Sequence, residues 1–271
     1  MQPTFTQIKK TALGKLKARW PEAMLVSVSL LAVCLLDMVM QSILMTMFKV
    51  GAVWSPFSPT TLPKLSVIAS IGISVFSSLF TVFITMPFLF GVLRWFWLLT
   101  DERSATLGEI FHYFSSPKLF GRAVALALTL FIKIAILAVI CLMPYLLWSI
   151  AFDPSLYDHF KISMPIWMSG LFTVTEFLRL MGLLSFAVLA LRNLIFYVPL
   201  FAEPESDIRS TVKISRKLMH GRFFRFLGFL LSFFGWFLLS SFVLPLIFTL
   251  PFFFASLCVY GHEEWRLREK M

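Results

Sequence analysis

Four long runs of apolar residues, Ala23–Met47, Ser66–Leu93, Leu119–Trp148 and Ile166–Leu191, dominate the chain. Each exceeds the roughly 20 residues that a helix needs to cross a bilayer. A fifth run, Phe226–Tyr260, is interrupted by Pro245 and Pro251. It is long for one crossing and just sufficient for two short ones joined by a turn at Val243–Pro245. The pattern predicts an all-α, polytopic membrane protein forming one integral membrane domain over residues 1–271, with spans near 23–47, 66–93, 119–148, 166–191, 226–243 and 246–260. Five crossings, or a re-entrant last segment, is the competing arrangement.

The polar stretches between the runs have helical periodicity of their own. At about 100° per residue over Asp207–His220, Ile208, Val212, Ile214, Leu218 and Met219 gather on one arc, with Thr211 and Ser215. Arg209, Lys213, Arg216 and Lys217 gather on the other with His220, and Gly221 follows in the place of a C-terminal cap. This predicts a basic amphipathic helix over 207–220, suited to lie in the membrane interface with its basic face on anionic headgroups or on a membrane-protein partner. A shorter relative over 106–114 opens with Thr106-Leu107-Gly108-Glu109, a capping-box spelling, and places Leu107, Ile110, Phe111 and Phe114 on one face, away from Glu109 and His112. A looser one covers 5–19, aligning Phe5, Ile8, Ala12 and Leu16. Each precedes a pair of spans, and the odd-numbered spans start near residues 23, 119 and 226. Three copies of a helix-plus-hairpin unit, about 100 residues apart, are one reading of this spacing; the plainer reading, that any six-span protein with basic inner loops shows it, is preferred.

Composition agrees with a bilayer protein and adds an orientation. The chain is 59% hydrophobic and 14% charged, with a net charge of +10. With six spans, most of the 24 Lys and Arg fall on the side of the two termini. Lys49, Lys64 and Lys161 fall opposite. The positive-inside rule then places both termini in the cytoplasm. The first apolar run follows a 22-residue polar lead without a small-residue cleavage site, and reads as an uncleaved anchor. Cys34, Cys141 and Cys258 all lie within apolar runs and read as small core residues.

Four ionisable residues interrupt the apolar runs: Asp37, Lys133, Glu176 and Arg179. Charges in a bilayer are costly and mark function or pairing by default. Asp37 and Lys133 each lie 14 residues into a span, about 21 Å from its start, and are expected to meet. Glu176 and Arg179 share a helix face as an i,i+3 pair. Structural ion pairs are favoured over a proton or ion relay. No phosphate loop, nucleophile elbow or zinc-type spacing is present, and the four histidines are scattered. The expectation is a non-enzymatic binding, scaffold or accessory component without metal or cofactor, not bound to nucleic acid. The alternative is a secondary transporter or permease using the intramembrane charges.

The most specific local sequence lies in the C-terminal third. Ser215, Leu218-Met219 and Gly221, followed by Leu231-Ser232-Phe233-Phe234-Gly235-Trp236 and Leu238-Leu239, spell S-x-x-L-M-x-G and L-S-F-x-G-W-x-L-L. With Ala12, Leu16 and Trp20, and with Pro87–Gly91 followed by Arg94, this resembles the bacterial integral-membrane family catalogued as domain of unknown function 975. The resemblance implies a multi-span protein of the bacterial plasma membrane and implies no reaction. Within the motif, Ser215, Gly221, Ser232, Gly235 and Trp236 are expected to form a structural joint. Gly221 would end the basic helix, and Gly235 would admit a neighbouring helix beneath the indole.

Overall fold

The computed structural model describes residues 3–48, 64–151, 168–203, 207–240 and 243–269, and every regular element among them is helical. In chain order these are α1 (Phe5–Leu16), α2 (Trp20–Met47), α3 (Lys64–Phe80), α4 (Met86–Thr100), α5 (Pro117–Ala151), α6 (Met168–Leu191), α7 (Tyr197–Ala202), α8 (Ile208–Met219), α9 (Phe223–Leu231), α10 (Phe234–Leu239) and α11 (Val243–Glu269). A π-helical turn, Thr81–Thr85, carries α3 into α4, and 3-10 turns occupy Leu107–Phe114 and Leu194–Phe196. The outer loops expected near 51–64 and 151–165 fall almost wholly outside the described residues.

Five stretches are long and apolar enough to cross a membrane: Trp20–Met47, Ile68–Thr100, Pro117–Trp148, Val174–Ala202 and Pro245–Arg268. A sixth exists if Ile208–Met219 and Phe223–Leu239 are joined across an 82° bend. That bend falls at Gly221, whose φ of +76° is left-handed and open to glycine at no steric cost. The α9–α10 arm runs antiparallel to α11, because rising numbers on one meet falling numbers on the other. Phe229 stacks on Tyr260 at 4.8 Å, Phe233 meets Phe253 at 5.3 Å, and Trp236 meets Phe252 at 5.6 Å. The turn expected at Val243–Pro245 is not found there. Val243 and Pro245 instead open α11, where a proline lacks only a hydrogen bond that the first turn never makes.

The three hairpins share a register. Ala23, Val26, Ser27 and Leu30 are buried at the start of α2, and Ala123, Leu126, Ala127 and Leu130 at the start of α5. Phe226, Phe229 and Phe233 take the corresponding places on the α9–α10 arm, with half-buried Leu230 in the position of Ser27 and Ala127. The returning arms converge too. The ring of Trp97 of α4 meets that of His262 of α11 at 3.7 Å, tilted by 31°, and the Tyr197 hydroxyl of α7 donates to the Leu257 carbonyl at 2.6 Å. Gly261 lies where these arms meet. A Cβ there would lie 2.8 Å from Val198, 2.9 Å from Tyr197 and 3.0 Å from Trp97. Each amphipathic segment then covers one returning arm: α1 on α11, the 3-10 helix on α4, and α8 on α7. The same pattern of buried positions and covering segments thus recurs in the three hairpins.

The buried residues are concentrated at this end of the bundle. Toward the other end, α2, α5 and α6 expose Leu35, Met38, Val39, Ile136, Ile140, Phe177 and Leu180. Backbone groups satisfied inside helices and apolar side chains turned outward are what a hydrocarbon surrounding requires. Cys34 belongs to that exposed apolar surface and Cys141 is half-buried, so only Cys258 is the core residue that all three were expected to be.

Candidate functional site

The interior charges are distributed by hairpin. Asp37 on α2 accepts from the Gln41 amide at 3.0 Å and from the Ser77 hydroxyl of α3 at 3.1 Å, and Gln41 also donates to Ser77 at 2.8 Å. This polar clasp joins α2 to α3. Glu176 and Arg179 form the expected i,i+3 ion pair on α6 at 2.5 Å, each about half exposed. The expected Asp37–Lys133 pair does not form. Counting 14 residues along each helix gives similar heights, but Asp37 faces its own hairpin partner while Lys133 lies in another hairpin, facing α8.

Helix α8 has the two faces that its periodicity predicts. Arg209, Lys213, Arg216 and Lys217 are exposed with His220, while Thr211, Ser215, Leu218 and Met219 are buried. What the buried face meets differs from expectation. It packs on α7, on the preceding 3-10 turn, on α5 and on α11, so protein takes the place intended for acyl chains. The helix is thereby fixed as a lid on the packed end, with its cations outward.

The 3-10 helix departs further. Its Thr106 side chain makes no cap, and Glu109 instead accepts from Arg94 of α4 at 2.8 Å. Three residues per turn, against 3.6 in an α-helix, bury Ile110 and Tyr113 on one face and leave Phe111 and Phe114 exposed on another; Leu107, at the first position, is exposed as well. The capping box occurs instead on α1, between Thr4 and Gln7. Gly91 allows the 3-10 helix its close seat: a Cβ there would come within 2.0 Å of the Ile110 carbonyl oxygen. Burial and the nearby Arg94 guanidinium lower the His112 pKa from its ordinary value, against a smaller opposite effect of Glu109. Burial raises the Tyr113 phenol to about 12.

The motif residues hold different posts. The Ser215 hydroxyl donates to the Val212 carbonyl at 2.9 Å, and the Ser232 carbonyl accepts from Lys9 of α1 at 2.7 Å. Gly235 is no contact point, since a Cβ there would meet nothing within 4 Å. Trp236 remains substantially exposed and touches Phe252 edge-on. The tight joints are Gly91 and Gly261, together with Gly182, whose Cβ would lie 2.8 Å from the Cys141 carbonyl oxygen. The joint between the motif helix and the last span is ionic. Glu264, almost fully buried on α11, is paired with Arg222 at 2.6 Å and Arg225 at 3.5 Å. His262 donates to or accepts from Thr100 at 3.2 Å, and Glu263 pairs with Arg266, so His262, Glu263 and Glu264 each take different partners.

Two hollows remain. An apolar groove of about 470 Å³ lies between α3, the π-helical turn and α5, lined by Ile71, Val75, Leu79, Val124, Leu128 and Phe131 among others. Of the three serines along it, Ser70, Ser74 and Ser78, the last two turn their hydroxyls back to helix carbonyls. The second, about 370 Å³, lies between α5, α6 and α8. Lys133, Arg192, Asn193, Ser215 and Arg216 line it together with Leu130, Leu137, Leu189 and Val212. Among the described residues, no group of three His, Cys, Asp or Glu side chains comes together in a metal-binding cluster. No protein-family model, curated protein or solved structure matches the chain.

Proposed function

We propose that the chain is a non-enzymatic protein of the bacterial plasma membrane, with both termini and the packed basic end in the cytoplasm. It serves as a binding, scaffold or accessory component of a transport or envelope system. The observation that carries this reading is the separation of two kinds of charge. Asp37, Glu176 and Arg179 are engaged within their own hairpins, whereas the outward cations of α8 have no acidic partner among the described residues. Interior charge satisfied locally, by the clasp joining α2 to α3 and by a pair within α6, suits a scaffold. A basic face on a rigid lid suits anionic headgroups or an acidic partner. The motif from Ser215 to Leu239 supports assignment to the family that the sequence resembles.

Transport is the second reading, favoured by the open hollow around Lys133. Purification in mild detergent distinguishes them. A scaffold is recovered with a membrane-protein partner in fixed stoichiometry, and Asp37→Asn weakens the α2–α3 hairpin without creating or abolishing solute flux. Recovery of the chain alone, with flux in proteoliposomes that Asp37→Asn or Lys133→Met abolishes, overturns the scaffold.

A further inference from the structure

We propose that the hollow between α5, α6 and α8 is a binding site for the phosphate of one anionic phospholipid. Lys133 comes from the middle of α5, Arg192 from the residue after α6, and Arg216 from the last turn of α8. Asn193 and Ser215 add neutral hydrogen-bonding groups to the same wall. Three cations around one hollow repel one another, and none has an acidic partner within ion-pair distance among the described residues. Such a cluster is stabilised by an anion, and guanidinium groups match phosphate oxygens in planar, bidentate geometry.

The remaining walls choose the source of that phosphate. Leu130, Leu137, Leu189 and Val212 make the hollow half apolar. Beyond it, α5 continues with exposed Ile136, Val139 and Ile140, and α6 with exposed Leu183 and Leu184. A lipid places its phosphate among the cations and its acyl chains along these helices. A soluble phosphate would leave the apolar wall in water. The site rests on the reading that the basic end lies at a headgroup surface, but it is distinct from the exposed face formed by Arg209, Lys213 and Lys217.

Native mass spectrometry of the full chain, released from nanodiscs of mixed phosphatidylglycerol and phosphatidylcholine, tests the site. The intact protein should retain one phosphatidylglycerol through delipidation. Lys133→Met with Arg192→Gln should lower that retention roughly tenfold or more, with the melting temperature held and partial recovery in Lys133→Arg with native Arg192. Val212→Trp, which fills the hollow without removing charge, should act alike. Arg209→Gln with Lys213→Gln should spare the retained lipid while reducing the general enrichment of anionic lipid around the protein. Equal retention of both lipids, or unchanged retention in the folded Lys133/Arg192 variant, overturns the site. Displacement of the lipid by millimolar inorganic phosphate or glycerol phosphate would overturn the lipid as its source. If general enrichment is missing but the single lipid stays, the headgroup-surface reading of α8 fails and the site survives.

Discussion

Glu264 is the residue on which the packed end most depends, because its carboxylate is buried and two arginines from the start of α9 converge on it. Removing one side of such an arrangement leaves buried charge without compensation. Glu264→Ala should cost roughly 3–5 kcal/mol, seen as a lower melting temperature in detergent. Glycines give a sharper contrast. Gly91→Ala would force a methyl into the Ile110 carbonyl, and a loss of about 1–3 kcal/mol is expected from overpacking. Gly235→Ala meets open space in a helix and should be neutral or stabilising by up to about 1 kcal/mol. If Gly235→Ala proved the more damaging of the two, the assignment of close packing to Gly91 would fall. His112 adds a pH dependence. Its folded pKa is depressed by burial and Arg94, so the unfolded chain takes up its proton first as pH falls. Its contribution is therefore complete above the ordinary value of 6.5 and is lost as pH drops through the lower folded value. Melting temperatures measured between pH 7.5 and 5 should fall less in His112→Asn than in the native chain.

At the scale of the helix, legibility follows period and length. The basic and buried faces of α8 could be read because twelve residues keep one 3.6-residue period, and each predicted cation is exposed. The eight residues from Leu107 to Phe114 could not be read in the same way. A 3-10 helix repeats every three residues, so an α-helical projection assigns Phe111 and Phe114 to the wrong face and turns Glu109 away from Arg94. Asp37 shows a different limit. Its distance along α2 was available from sequence, but its azimuth depends on which helix lies beside it, and Ser77 lies forty residues on. The cleft was hidden for the same reason: Lys133, Arg192 and Arg216 come together only through packing of three elements. One signal for the tight joint was present. Pro87-Phe88-Leu89-Phe90-Gly91 and Pro251-Phe252-Phe253-Phe254-Ala255 repeat a pattern with a small residue at its end. The exposure of α8 also carries a prediction. Arg209→Glu with Lys213→Glu and Lys217→Glu removes no buried contact, so the melting temperature should hold within about 1–2 °C for changes of a few tenths of a kcal/mol. Enrichment of anionic lipid around the reconstituted protein should disappear, and unchanged enrichment would assign the basic face to another partner.

For the whole molecule, the three hairpins and the amphipathic segments that cover their returning arms make one end dense and aromatic and leave the other end apolar on its surface. That division gives the question of five or six crossings a physical form. The α9–α10 arm rises only about 25 Å at 1.5 Å per residue, less than the roughly 30 Å of a hydrocarbon core, and it lies against α11 throughout. Its partner α11 begins within a few residues of where α10 ends. The two arms therefore reach the same depth, and whatever side holds the start of α9 also holds the end of α11. A true crossing and a re-entrant hairpin differ only at their tip, while both keep the C-terminus beside the basic layer. Five crossings, with α11 spanning alone, place the C-terminus opposite. Single cysteines in a background without Cys34, Cys141 and Cys258 separate these cases. Cysteines at Ser104, at Ser210 and after Met271 should resist an impermeant thiol reagent in intact cells and react once the membrane is opened. Cysteines at Ser58 and Ser155 should react at once, and a cysteine at Ser240, at the tip of the third hairpin, should join them only if that hairpin crosses. Reaction after Met271 in intact cells, with Ser210 protected, would break the pairing of α9–α10 with α11 and the threefold arrangement with it.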